Sequence, residues 1–62
     1  MTIRQTRLTL QLTQAQMAAE LGIGHSTYAR FEGYEARGQA LPAWVMLAVN
    51  QLSTERTEHG QV

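Results

Sequence analysis

A chain of 62 residues holds a single domain, and a domain this small is only marginally stable on its own. It has no cysteine, and its two histidines, His25 and His59, lack ligand spacing, so no disulfide framework, structural zinc or other cofactor is expected. Five arginines balance five glutamates, so the net charge does not mark the chain as a nucleic-acid binder; any positive face has to come from glutamates that are paired or turned away.

No run approaches the roughly 20 apolar residues that span a bilayer, and no basic-then-apolar leader is present. A cytoplasmic protein without a membrane partner is the expectation. The chain holds no paired carboxylates in a cleft pattern, no nucleophile beside a base and no phosphate loop, so no catalytic residue is assigned and an enzyme is not expected.

The first expected element runs from Thr2, a plausible N-cap, to about Leu10. Ile3, Thr6 or Arg7, and Leu10 fall on one side at helical spacing. Leu8, Leu10 and Leu12 alternate as in a strand, but no nearby segment offers a pairing partner, so helix is preferred.

The second element is the clearest. Thr13 followed three residues later by Gln16 is a capping box, in which each residue satisfies an orphan backbone N–H of the other. Good helix formers follow through Leu21, with Met17, Ala18 and Leu21 on one face. Leu12 is placed to pack on Met17 as a staple, and Gly22 stands where a helix ends in a left-handed residue.

Gly22-Ile23-Gly24 is a very short turn, with Ile23 expected to point inward. A third helix, His25 to Glu32, follows, with Tyr28 and Phe31 as its buried stripe and Gly33 near its end. Tyr34 to Ala40 reads as a loop. Pro42 suits the first position of a helix, and Ala43 to Leu52 forms the fourth. Residues 53–62 lose apolar periodicity and read as a polar, flexible tail. The fold class expected is all-α, a compact bundle of four short helices in residues 1–52.

Two short helices joined by a tight glycine turn form the unit whose second member enters the DNA major groove. Ala18, Ala19 and Gly22 permit a close crossing, and Ile23 anchors the turn. His25, Ser26 and Thr27 occupy the exposed start of the second member, where side chains meet base edges.

The segment LTQAQMAAELGIGHSTYARFEG resembles the Cro/C1-type (XRE-like) helix-turn-helix of phage repressors and their bacterial relatives. Leu12-Thr13-Gln14, Ala18, Leu21-Gly22-Ile23, Tyr28, Phe31 and Glu32 all fall at family spacing, and the likeness extends from Arg7 to Leu52. Small size and the Leu41-Pro42-x-Trp44 start of the last helix are similar to small phage autoregulators, including those beside anti-CRISPR genes. The resemblance implies a lambda-repressor-like all-helical fold, dimeric binding to a palindromic double-stranded operator, and transcriptional repression. By position it implies that Gln14 contacts phosphate, that His25, Ser26 and Thr27 read bases, and that Arg30 reaches phosphate or guanine. It also implies a structural ion pair between Arg7 and Glu32. Arg37, beside Gly38, either contacts backbone phosphate or is merely solvated. Gln11 and Gly24 depart from the pattern, which favours a glycine and a capping serine or threonine there.

The fourth helix is apolar nearly all round, so it is expected to be buried on more than one side. A core this small does not cover both sides. A two-fold homodimer through residues 42–52 is expected, with Trp44, Met46, Leu47 and Val49 near the axis. The rival expectation is a helix-turn-helix module that binds another protein, such as an antitoxin or adaptor, which zero net charge favours.

Overall fold

The computed structural model describes residues 2–60, with side chains described through Arg56; it contains four helices, α1 (Ile3–Thr9), α2 (Gln14–Leu21), α3 (His25–Ala36) and α4 (Ala43–Gly60). Thr2 caps α1 and Thr13 caps α2, each in a complete capping box, with Gln5 and Gln16 as the reciprocal partners. Gly24 precedes α3 and offers no side-chain cap, so that helix starts with its backbone N–H groups open to solvent or a ligand.

The first three helices end in the same way. After α1, Leu12 N–H reaches the Arg7 carbonyl and Gln11 N–H that of Leu8. After α2, Ile23 and Gly22 do the same with Ala18 and Ala19, and after α3, Gln39 and Gly38 with Tyr34 and Glu35. This pair of bonds requires a left-handed residue, supplied by Gly22 (φ 74°) and Gly38 (φ 81°) but at the first turn by Gln11 (φ 61°).

Two boundaries differ from the sequence expectation. Gly33 does not end α3, which runs one further turn to Ala36 and shortens the expected 34–40 loop. Glycine costs about 1 kcal/mol inside a helix. The added turn offsets this through Glu35, which accepts the Ile3 N–H at 2.7 Å and so holds the start of α1. Likewise α4 does not stop at Leu52. Residues 53–60, expected as tail, continue the helix, and Arg56 pairs with Glu20 of α2 at 2.8 Å. Gln61 and Val62 lie outside the described residues.

Ile3, Met17, Ala18, Tyr28, Val45, Val49 and Leu52 form the core, with Leu10, Leu12, Leu21, Ile23, Phe31, Leu41 and Met46 packed around it. Helices α2 and α3 cross at the glycine turn, while α1 and α4 close the other sides. Val45, Val49 and Leu52 are spaced i, i+4, i+7, so they form the stripe of α4 that faces this core. Val49 is only 2 % exposed and Met46 packs on the core. Val49 is thereby corrected from a dimer-face residue to a core residue, because the inward stripe of α4 passes through it, whereas Met46 is half-buried at the edge of that stripe. Trp44 (50 %) and Leu47 (68 %) stay exposed.

Candidate nucleic-acid interface

The site is built on a polar network at the back of α3. Arg7 Nε donates to Glu32 Oε2 at 2.7 Å, and the two side chains are 11 % and 8 % exposed. Arg7 Nη1 also donates to the Leu12 carbonyl at 3.0 Å, gripping the turn between α1 and α2. Gln14, the first residue of α2, donates from Nε2 to Glu32 Oε1 at 3.0 Å. Its Oε1 lies 3.4 Å from His25 Nε2. One glutamate thus ties α1, α2 and the start of α3 to a common point.

Electrostatics follow from this arrangement. Burial alone raises the Glu32 pKa, but the donors around it, Arg7 first, outweigh that and hold it below the usual carboxylate range. The hydrogen bond to Glu32 raises Arg7 in turn, against its own desolvation. The Tyr28 hydroxyl is buried close to this pair yet forms no hydrogen bond of good geometry. Burial, and then the neighbouring carboxylate, push its pKa far above the ordinary phenol value.

The start of α3 and the side that carries Arg30 are open. His25, Ser26, Thr27 and Arg30 are all exposed. Among the described residues Arg30 has no ion-pair partner. Arg37, at the C-terminal cap of α3, lies over the Tyr34 ring at 5.5 Å and is also exposed. Most of the described glutamates are engaged: Glu20 with Arg56, Glu32 with Arg7 and Gln14, and Glu35 with the α1 backbone. Among the described residues the arginines left without a carboxylate partner are Arg4 on α1, Arg30 on α3 and Arg37 at the C-terminal cap of α3. The Glu20–Arg56 and Glu35 contacts had no local sequence signal, because they join residues 36 and 32 positions apart.

Residues 3–32 match the model of a helix-turn-helix family. The chain carries a Cro/C1-type helix-turn-helix. This is a family of DNA-binding regulators, and the matched segment covers α1, α2 and most of α3, including Arg7, Gln14, His25, Arg30 and Glu32. No curated protein matches the chain. No solved structure matches it.

In the helix-turn-helix, α2 is the supporting helix and α3 the recognition helix. The Arg7–Glu32 pair forms as the resemblance implies. Gln14 differs from expectation in one respect: its amide NH2 is committed to Glu32 rather than left wholly free for phosphate. Among the described residues no cluster of three or more His, Cys, Asp or Glu is placed to hold a metal ion. No described helix is long and apolar enough to cross a membrane.

Proposed function

We propose that the protein is a sequence-specific transcriptional regulator that represses by binding a palindromic duplex operator as a homodimer. The observation that carries this is the open start of α3, with His25, Ser26, Thr27 and Arg30 exposed on a helix whose back is fixed by Arg7, Glu32 and Gln14. A recognition helix needs that combination, because base readout requires side chains held in a constant register. Arg30 reads a guanine edge or grips phosphate, Ser26 and Thr27 read bases, and Gln14 and Arg37 add phosphate contacts. Two copies joined through α4 carry their recognition helices about 34–36 Å apart, one turn of DNA.

A second reading, a helix-turn-helix that binds another protein, is favoured by zero net charge and by exposed Trp44 and Leu47. A gel shift against the DNA immediately upstream of its own gene separates the two. Wild type is expected to prefer that duplex to random DNA, and Arg30→Ala to weaken binding by about 1–3 kcal/mol. Equal binding to random duplex at low salt sinks the reading, and an Arg30→Ala protein as tight as wild type sinks the residue assignment.

A further inference from the structure

Gly33 lies inside α3 with a helical backbone, so its conformation does not call for a glycine. Apart from its chain neighbours and the helix backbone, a Cβ there would come within 4 Å of one atom among the described residues, Arg37 Nη2 at 3.9 Å. The place where a longer side chain would lie is therefore taken by a guanidinium from one turn further on. The same guanidinium lies over the Tyr34 ring, 5.5 Å from its centroid. At the other end of the residue, the Arg37 N–H bonds to the Gly33 and Tyr34 carbonyls, both at 3.2 Å. Arg37 is thus folded back along α3 and held at its backbone and at its tip. Ser26, Arg30, Gly33 and Arg37 are spaced i, i+4, i+7, i+11, which puts them on one face of the helix, and both arginines are exposed. The glutamates of α3 do not draw Arg37 away: Glu32 is engaged with Arg7 and Gln14, and Glu35 with the Ile3 N–H.

We propose that Gly33 and Tyr34 are positioning residues that set the Arg37 guanidinium on the line of Ser26 and Arg30, where it grips a DNA backbone phosphate. This rests on the DNA-binding reading above. The phosphate follows from the place of Arg37 on the helix. Base edges are met by the N-terminal residues of a recognition helix, and Arg37 stands about 10 Å further along the axis than Arg30. The cradle follows from entropy and geometry. A free arginine gives up its rotamer freedom when it meets a phosphate, whereas one already laid against its helix has given up much of it beforehand. Stacking uses the face of the guanidinium and leaves N–H donors at its edge for the phosphate oxygens. Gly33 completes the cradle by having no side chain to push the guanidinium off the ring.

Fluorescence anisotropy of the full chain with a labelled duplex selected from a random pool, over a range of salt concentrations, tests this. Arg37→Gln is expected to weaken binding about tenfold and to reduce the salt slope by about 1 for each protomer bound. Tyr34→Leu, which removes the ring, should weaken binding about two- to fivefold, and Tyr34→Phe should bind like wild type. Gly33→Gln should raise Tm, because glutamine is the better helix former, and yet lose affinity. Neither Tyr34→Leu nor Gly33→Gln should weaken binding further once Arg37→Gln is present, which separates positioning from damage to the fold. An Arg37→Gln protein with wild-type affinity and salt slope overturns the phosphate contact. Wild-type binding by Tyr34→Leu and Gly33→Gln, or losses that persist in the Arg37→Gln background, overturn the positioning role. Proton shifts of the free protein give a check without DNA: the Arg37 Hδ protons should be moved upfield by the Tyr34 ring and return in Tyr34→Leu, and unshifted protons in wild type contradict the cradle. If wild type selects no duplex from the pool, the DNA-binding reading itself fails, an outcome distinct from Arg37→Gln binding like wild type.

Discussion

Two single residues sit in places that suit them poorly, and each gives a measurable expectation. Gln11 adopts φ 61°, where the equivalent positions after α2 and α3 are glycines. A side chain in that region costs about 1–2 kcal/mol, and glycine returns part of it as extra freedom of the unfolded chain. Gln11→Gly is therefore expected to stabilise the fold by about 0.5–1 kcal/mol, a rise in Tm of about 2–8 °C for a domain of this size. An unchanged or lower Tm on thermal melting would show that the Gln11 side chain offsets its own strain. Tyr28 is the second case. Its hydroxyl is buried without a good partner, so its removal costs little beyond a small void. Tyr28→Phe should hold stability within about 1 kcal/mol of wild type or raise it. The raised Tyr28 pKa means that native protein keeps the phenol neutral where unfolded chain ionises. Stability is thus fully present below about pH 10 and lost as pH rises above it, and Tyr28→Phe should flatten that alkaline loss.

Between helices, the Arg7–Glu32 pair decides whether the unit holds together. Removing one partner of a buried pair strands the other and costs about 3–5 kcal/mol, comparable to the whole stability of a domain this size. Glu32→Ala and Arg7→Met are each expected to be largely unfolded at 37 °C by circular dichroism. The double variant Arg7→Met with Glu32→Leu should recover much of the fold, because no charge is left unpaired. A single variant that melts like wild type would refute the central role given to this network. Acid has the same target. Glu32 titrates below its usual range, so its contribution is present above about pH 4.3 and is lost as pH falls through the lower native value. The pattern of local signals explains what could be read from sequence alone. Thr13 with Gln16, Gly22 and Ile23 are short-range devices, and α2 with its turn formed where they indicate. The ends of α3 and α4 lie beyond where local signals put them because they depend on long-range partners. Glu35 holds the α1 backbone and Arg56 holds Glu20, and nothing in either local segment reveals such a contact. The site divides in the same way: the exposed side of α3 was visible in the order His25-Ser26-Thr27, whereas the route from Glu32 through Gln14 to His25 needed three helices in place.

At the scale of the molecule, zero net charge and DNA binding are reconciled by where the charges are spent. Glu20 and Glu32 are paired, while Arg4, Arg30 and Arg37 on α1 and α3 have no carboxylate partner among the described residues. Such a surface grips phosphate weakly in one copy, and a dimer doubles it. If the three free arginines of each protomer meet phosphate, log affinity should fall with log salt at a slope of about −5 for the dimer. A slope near zero would mean that these arginines do not touch the backbone. The proposed self-association falls to Trp44 and Leu47, with half-buried Met46 beside them, since Val49 is used inside the chain. Leu47 is 68 % exposed, so a polar residue there disturbs little of the monomer core. Leu47→Glu is thus expected to keep its helical spectrum while sedimenting as monomer at concentrations where wild type is dimeric. Its operator affinity should drop at least tenfold, because the second half-site no longer binds as part of one body. Trp44 offers an internal monitor: its ring is packed edge-on to Phe31 on one side and half exposed on the other, so its fluorescence should shift on dilution of wild type but not of Leu47→Glu. A Leu47→Glu protein that still sediments as a dimer would move the interface off this face of α4.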